Sequence, residues 1–282
     1  MKDVCIIRFS GGLGNQLFQY ALYRKLLFLG KQVKADIRDY EMGREKRPFL
    51  LEKIGIRMDY IDDEDIARYS LNNPLMNSIK AKLGIVTNYS EKESYIFDPN
   101  VLQLEDAYIR GYWQCPHYYD DIRDILLKDI EFPQMSNNKE AIRETMGKQN
   151  SVSIHVRMGD YLYFPDRYGG ICDKEYYRRA LDIIESRVED PIYYGFSDDI
   201  ERAKDLLRFK DKIKWMEPSP GTVTYDDMNL MRSCKHSIIA NSSYSWWGAY
   251  LGYAPQRVVI APVKWINTYR DCEIWCDEWI KA

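Results

Sequence analysis

Ser151-Val152-Ser153-Ile154-His155-Val156-Arg157-Met158-Gly159-Asp160-Tyr161 is the stretch that decides the fold. Apolar and β-branched residues run to Val156 and stop at a charged loop with a glycine, as a buried strand of a parallel sheet ends. Downstream, Asp173–Arg187 reads as a helix with Tyr177, Ala180, Leu181, Ile184 and Val188 on one face. Pro191–Phe196 reads as the next strand and Asp199–Phe209 as the next helix. Ile213–Met216, Tyr225–Cys234, Ser237–Ala240, Tyr244–Leu251 and Arg257–Ala261 continue the rhythm. Repeated strand-helix units of this length predict an α/β protein with a doubly wound parallel sheet and right-handed crossovers.

Upstream, the pattern opens the same way: a strand Val4–Phe9, a loop Ser10–Asn15, and a helix from Gln16 to about Leu29 with Phe18, Ala21, Leu22, Leu26 and Leu29 on its apolar face. Residues 40–105 show no clear period. Ala107–Gly111 reads as a strand and Tyr118–Leu127 as a helix. The polar stretch Gln134–Asn150 marks a boundary between two domains, 1–148 and 149–282.

Forty basic against forty-three acidic residues, net charge -3 over 282 residues, provide no general positive field for DNA or RNA. Six cysteines without CxxC spacing read as reduced. The apolar run Val4–Ile7 is too short for a signal peptide, and no apolar run reaches transmembrane length. The expected location is the cytoplasm, at most peripheral to the inner membrane.

In an open parallel sheet, ligands bind beyond the carboxyl ends of the strands. That rule selects three loops: His155 to Tyr161, then Ser197-Asp198-Asp199, then Asn241-Ser242-Ser243-Tyr244-Ser245. Arg157 offers a planar fork of donors for a phosphate, or a structural partner for Asp160. Ser242, Ser243 and Ser245 stand where a helix start presents N–H groups to an anion, or serve as plain N-caps. Together the loops describe a diphosphate site. Asp226 and Asp227 supply either a carboxylate for guanine N1–H and N2–H or acids favoured at a helix start. Gly12 and Gly14 begin a G-x-G, but Leu17 replaces the third glycine, so the dinucleotide fingerprint fails, and no P-loop is present. The glycines suit close backbone approach to a ligand. His117, His155 and His236 lack metal-ligand spacing, and Asp63-Glu64-Asp65 reads as a solvated helix start; no metal is expected.

With these residues in hand, the chain resembles the bacterial α-1,2-fucosyltransferases of glycosyltransferase family 11. The resemblance rests on Gly11 to Ala21, His155 to Tyr161, Phe196 to Asp199, and Cys234 to Ala249. It implies a GT-B architecture: two Rossmann-like domains with parallel sheets facing a cleft, an acceptor-side domain 1–148 and a GDP-fucose domain 149–282. It implies an inverting, metal-independent transfer of L-fucose from GDP-β-L-fucose to the 2-hydroxyl of a galactoside, on an oligosaccharide or a lipid-linked glycan. The family's phosphate-binding arginine falls on Arg157, and His155 belongs to the same motif. A looser similarity to other fucosyltransferases matches Asp227 to the guanine-reading acid and Ser243 to Ser245 to the phosphate loop. Met158 stands where the family usually has a second arginine. Asp160, His155 and Asn15 are the candidates for base or positioning group. Two rival readings are a metal-dependent GT-A enzyme and a non-catalytic carbohydrate-binding protein.

Overall fold

The computed structural model describes residues 3–218, 225–269 and 271–282, without the side chains of Asp160 and Leu162. They group into two compact units, Met1–Glu131 and Phe132–Ala282. This division falls ahead of the expected one at 148/149. The helix Asn137–Lys148 belongs to the second unit: its Lys139 pairs with Asp226 and Asp227, and the carbonyl of Met146 accepts from Ser151 Oγ at 2.7 Å.

The N-terminal unit is built on four parallel strands, β1 (Cys5–Arg8), β2 (Val33–Asp36), β3 (Asn88–Ser90) and β4 (Ala107–Arg110), in the order β2-β1-β4-β3. The first helix, Leu13–Phe28, starts three residues before the expected Gln16. Gly12 is its N-cap and no side chain caps it, so the usual Ser, Thr, Asp or Asn signal is absent. Gly14 and Asn15 therefore lie in the helix, not in a loop. Phe18, Ala21, Leu22 and Leu26 are buried as expected, whereas Leu29 is exposed because the helix has ended. Two buried glutamines shape the loop before the helix. Gln16 donates to the carbonyls of Gly11 and Pro48 and accepts from Leu50 N–H, each at 2.9 Å. Gln19 accepts from Ser10 N–H at 3.0 Å and donates to Gly111 O at 2.9 Å. Asp63-Glu64-Asp65 is a capped helix start: Asp62 and Asp65 form a capping box, and both pair with Lys34 at 2.7 and 2.6 Å. The expected helix Tyr118–Leu127 is instead two 3-10 turns, Pro116–Tyr118 and Asp120–Ile122, followed by the helix Arg123–Asp129.

The C-terminal unit carries β5 (Ser151–Val156), β6 (Ile192–Ser197), β7 (Lys214–Trp215), β8 (His236–Ile238), β9 (Val259–Ala261) and β10 (Ile280–Lys281). All are parallel, in the order β10-β9-β8-β5-β6-β7. Read from β7, this is the Rossmann order 3-2-1-4-5-6, with the chain reversing direction across the sheet between β5 and β8. All six residues of β5 are buried, as a central strand covered on both faces requires. The helix Lys174–Arg187 lays Tyr177, Ala180, Leu181 and Ile184, with Val188 just beyond it, on the core with Val152, Ile154 and Val156. All six cysteines are free thiols. Among the described residues no helix is long and apolar enough to cross a membrane.

Candidate active site

The strand order places one crevice beyond the carboxyl ends of β5 and β8, the switch point where nucleotide ligands bind in such sheets. Two of the three expected loops leave β5 and β8, and the third leaves β6 next to β5. Their residues meet. The Arg157 guanidinium pairs with Asp198 after β6 at 2.9 Å. The side chain of Asp160 lies outside the described residues. The second oxygen of Asp198 accepts from Met158 N–H at 2.9 Å, so one carboxylate holds both the arginine side chain and the backbone beside it. A Cβ on Gly159 would lie 2.1 Å from Asp198 Oδ2, so the glycine leaves this carboxylate room to hold its place. The Met158 side chain packs against the core instead of adding a second charge.

Tyr161 ties the loops together across the switch point. Its hydroxyl donates to Asn241 O at 2.6 Å, its ring lies 5.6 Å from the Arg157 guanidinium, and Tyr168 stacks on it at 4.1 Å. Sequence reasoning placed Tyr161 in the first loop without a role and missed Tyr168, since nothing in its spacing marks it.

The helix Ser243–Tyr250 begins where β8 ends. Ser242 occupies its N-cap without a side-chain bond to the helix, and no acid stands in its first turn. The first N–H groups of a helix and the positive end of its dipole point out of its start, where they favour an anion. Ser245 Oγ is engaged with the carbonyls of Ala240 and Ser242, both at 3.3 Å. Asn241 donates to Trp265 O at 3.0 Å and accepts from Cys172 Sγ at 3.3 Å. Ser197 Oγ closes a turn with Asp199 at 3.1 Å. These three side chains build the loops, while Ser242 and Ser243 stand at the helix entrance.

Tyr244 lies on the first turn of that helix. Burial pushes its phenol well above the usual range, and its hydroxyl accepts from Met228 N–H. The charges of Asp227 and Asp226 push it the same way, and that of Arg157 opposes them. Asp226 and Asp227 sit on the first turn of the helix Tyr225–Ser233 and share Lys139 at 3.3 and 3.5 Å. Their position is helix-initial, and their charges act on Tyr244. His155 lies under this group, its ring 6.0 Å from that of Tyr244. Burial first, and the Arg157 charge second, push its pKa down to about 3, so it is neutral near pH 7. Its Nδ1 is buried without a hydrogen-bond partner.

Asn15, Gly12 and Gly14 belong to the N-terminal unit. Asn15 Oδ1 accepts from Gln114 at 2.8 Å, and its side chain crowds the place a Cβ on Gly11 would take, 2.6 Å away.

A family model for glycosyl transferase family 11 matches residues 69–282. The chain is 28% identical to an α-1,2-colitosyltransferase of Escherichia coli, over 99% of each chain. It is 31% identical to the O-antigen biosynthesis glycosyltransferase WbnK of Escherichia coli, over 96% of this chain and 98% of that one. Among solved structures, the fucosyltransferase NodZ from Bradyrhizobium superposes with a TM-score of 0.54 at 12% identity, over 92% of this chain and 95% of that one. At that identity the likeness shows the fold, which is GT-B-like with two Rossmann-like units. The family model covers most of the chain and a relative above 30% identity spans nearly all of it: this protein belongs to glycosyl transferase family 11 and is a glycosyltransferase.

Proposed function

We propose that the protein transfers L-fucose from GDP-β-L-fucose to the 2-hydroxyl of a galactoside, inverting the anomeric centre and using no metal ion. The observation that carries this reading is Arg157, clamped by Asp198 beside the uncapped start of the helix Ser243–Tyr250. In the reaction the acceptor oxygen bonds to fucose C1 as the bond from C1 to the β-phosphate oxygen breaks. The electron pair leaves with GDP, and the hydroxyl proton passes to a base. Negative charge grows on the β-phosphate, and a guanidinium with preorganised N–H groups stabilises it most where it grows. Asp227 supplies an acceptor for guanine N1–H and N2–H once it exchanges Lys139 for the base.

A general base works best with a pKa near the operating pH. His155, with its pKa pushed to about 3, does not meet that condition. Asn15 carries an amide, which positions a hydroxyl but does not take its proton. Asp160 is left as the residue whose chemistry suits the role.

Similarity to a colitosyltransferase along the whole chain favours a second reading for the donor, since colitose is fucose without its 3-hydroxyl. Incubation with GDP-fucose and with GDP-colitose on a panel of β-galactosides, with the linkage read by NMR, separates the two. The proposal expects fucose in α-1,2 linkage. Transfer of colitose alone, or of fucose to another position, overturns it.

A further inference from the structure

The helix Pro74–Lys82 is inverted. A helix on a globular unit normally turns large apolar side chains inward and polar ones to water. Here the buried residue is Asn77, which donates to Tyr69 O at 2.5 Å and accepts from Asn88 at 2.8 Å. Ala81 packs beside it on the cluster of Val4, Ile6, Tyr69, Val86 and Tyr108. Facing water are Leu75, Met76, Ile79 and, just past the helix, Leu83, exposed by 74%, 44%, 42% and 69%. At about 100° per residue these positions fall within one arc of about 100°, a continuous apolar stripe. Ile85 extends it. The helix is held rigidly in this orientation: Asn73 caps it through Met76 N–H, Pro74 fixes its first turn, and Lys80 Nζ donates to the carbonyls of Ala67 and Arg68.

Charge tells what the stripe faces. Between Asp65 and Glu91 the chain carries not one acid, although acids outnumber bases in the chain; Arg68 there pairs with Asp106, and Lys80 and Lys82 stand on the helix itself. A two-fold contact between copies of this chain would bring the two lysines toward their own counterparts. An anionic lipid surface complements both the stripe and the lysines.

We propose that the helix Pro74–Lys82 docks the protein on a bilayer containing anionic lipid, with Leu75, Ile79 and Leu83 entering the acyl boundary and Lys82 at the level of the phosphates. The inference rests on the N-terminal unit and does not depend on which sugar is transferred.

Co-flotation of the full chain with vesicles tests it. The protein should float with equimolar phosphatidylcholine and phosphatidylglycerol, and less with phosphatidylcholine alone or at high salt. Leu75→Ser combined with Leu83→Ser should weaken vesicle binding by about tenfold or more, and leave the circular dichroism spectrum and melting temperature unchanged because both side chains are exposed. Lys82→Gln should weaken binding about fivefold, on anionic vesicles only. Failure to bind anionic vesicles, or equal binding by the leucine double variant, overturns the proposal. So does a concentration-dependent dimer in sedimentation that the same double variant abolishes, since a second copy would then cover the stripe.

Discussion

Gly159→Ala probes how Arg157 is held. The added Cβ would lie 2.1 Å from Asp198 Oδ2 and 3.1 Å from its Cγ, well inside van der Waals contact. The carboxylate has no slack, because one oxygen holds Arg157 and the other Met158 N–H, both at 2.9 Å. To admit the methyl group, Asp198 must turn away and release both. A hydrogen bond to a charged group is worth about 1.5–3 kcal/mol. Arg157 and Asp198 are 19% and 27% exposed, so water replaces part of the loss, and the net destabilisation should be about 1–3 kcal/mol. A released arginine also regains up to about 2 kcal/mol of rotamer entropy, which must be lost again each time it meets the diphosphate. That corresponds to a drop in kcat of about thirtyfold. The assay is GDP release at saturating GDP-fucose and acceptor, with thermal melting on the same samples. Asp198→Asn is the control: it keeps an acceptor for Met158 N–H but loses the charge, and should fall between wild type and Gly159→Ala in kcat. Full kcat and an unchanged melting temperature in Gly159→Ala would refute the idea that Asp198 positions the arginine.

Three further outcomes are expected. Asp227→Ala should weaken GDP binding by about tenfold or more and leave ADP binding unchanged, as for a site that loses the partner of a buried donor pair; calorimetry giving equal GDP affinity would make Asp227 a helix-initial acid only. Activity in excess EDTA should match activity in Mn²⁺, and loss with EDTA that Mn²⁺ restores would contradict the metal-free mechanism. His155 and His236 have folded pKa values near 3 and 4, below the unfolded value of 6.5, through burial first and neighbouring cations second. The folded state therefore binds fewer protons than the unfolded one between those limits, so stability is complete above about pH 6.5 and falls as pH drops toward 4, by up to about 1.4 kcal/mol per pH unit per histidine. His236 must stay neutral because its Nδ1 accepts from Val258 N–H at 3.0 Å. Denaturant titrations of His236→Asn should show a shallower slope over that range, and an identical slope would remove His236 from the account.

Much of the C-terminal unit was legible because its physics is local. The face Tyr177, Ala180, Leu181, Ile184, Val188 repeats at helical spacing and is wholly buried. Parallel strands carry their C-terminal loops to one end of the sheet, so the three loops converge without any knowledge of side-chain contacts. That Arg157 reaches Asp198 was not legible, because Asp198 lies on the neighbouring strand's loop and only strand pairing brings the two together. The start of the first helix escaped because Gly12 provides no capping side chain. Residues 40–105 resisted reading because their elements are short, a 3-10 turn Leu51–Ile54, helices Asp63–Tyr69 and Pro74–Lys82 and a strand Asn88–Ser90, too brief for a period to build.

The central claim, that the crevice between β5 and β8 holds the diphosphate of a fucose donor, is tested most directly by Arg157→Ala. Wild-type and variant protein, matched for folded content by circular dichroism and melting, are compared for transfer of fucose from GDP-fucose to a β-galactoside in EDTA. Removing one preorganised transition-state donor costs about 10²–10³ in kcat, so the variant should lose at least that much, with a smaller change in KM and only partial recovery in Arg157→Lys, which restores charge without the planar fork. A folded Arg157→Ala protein that keeps wild-type kcat would contradict the claim.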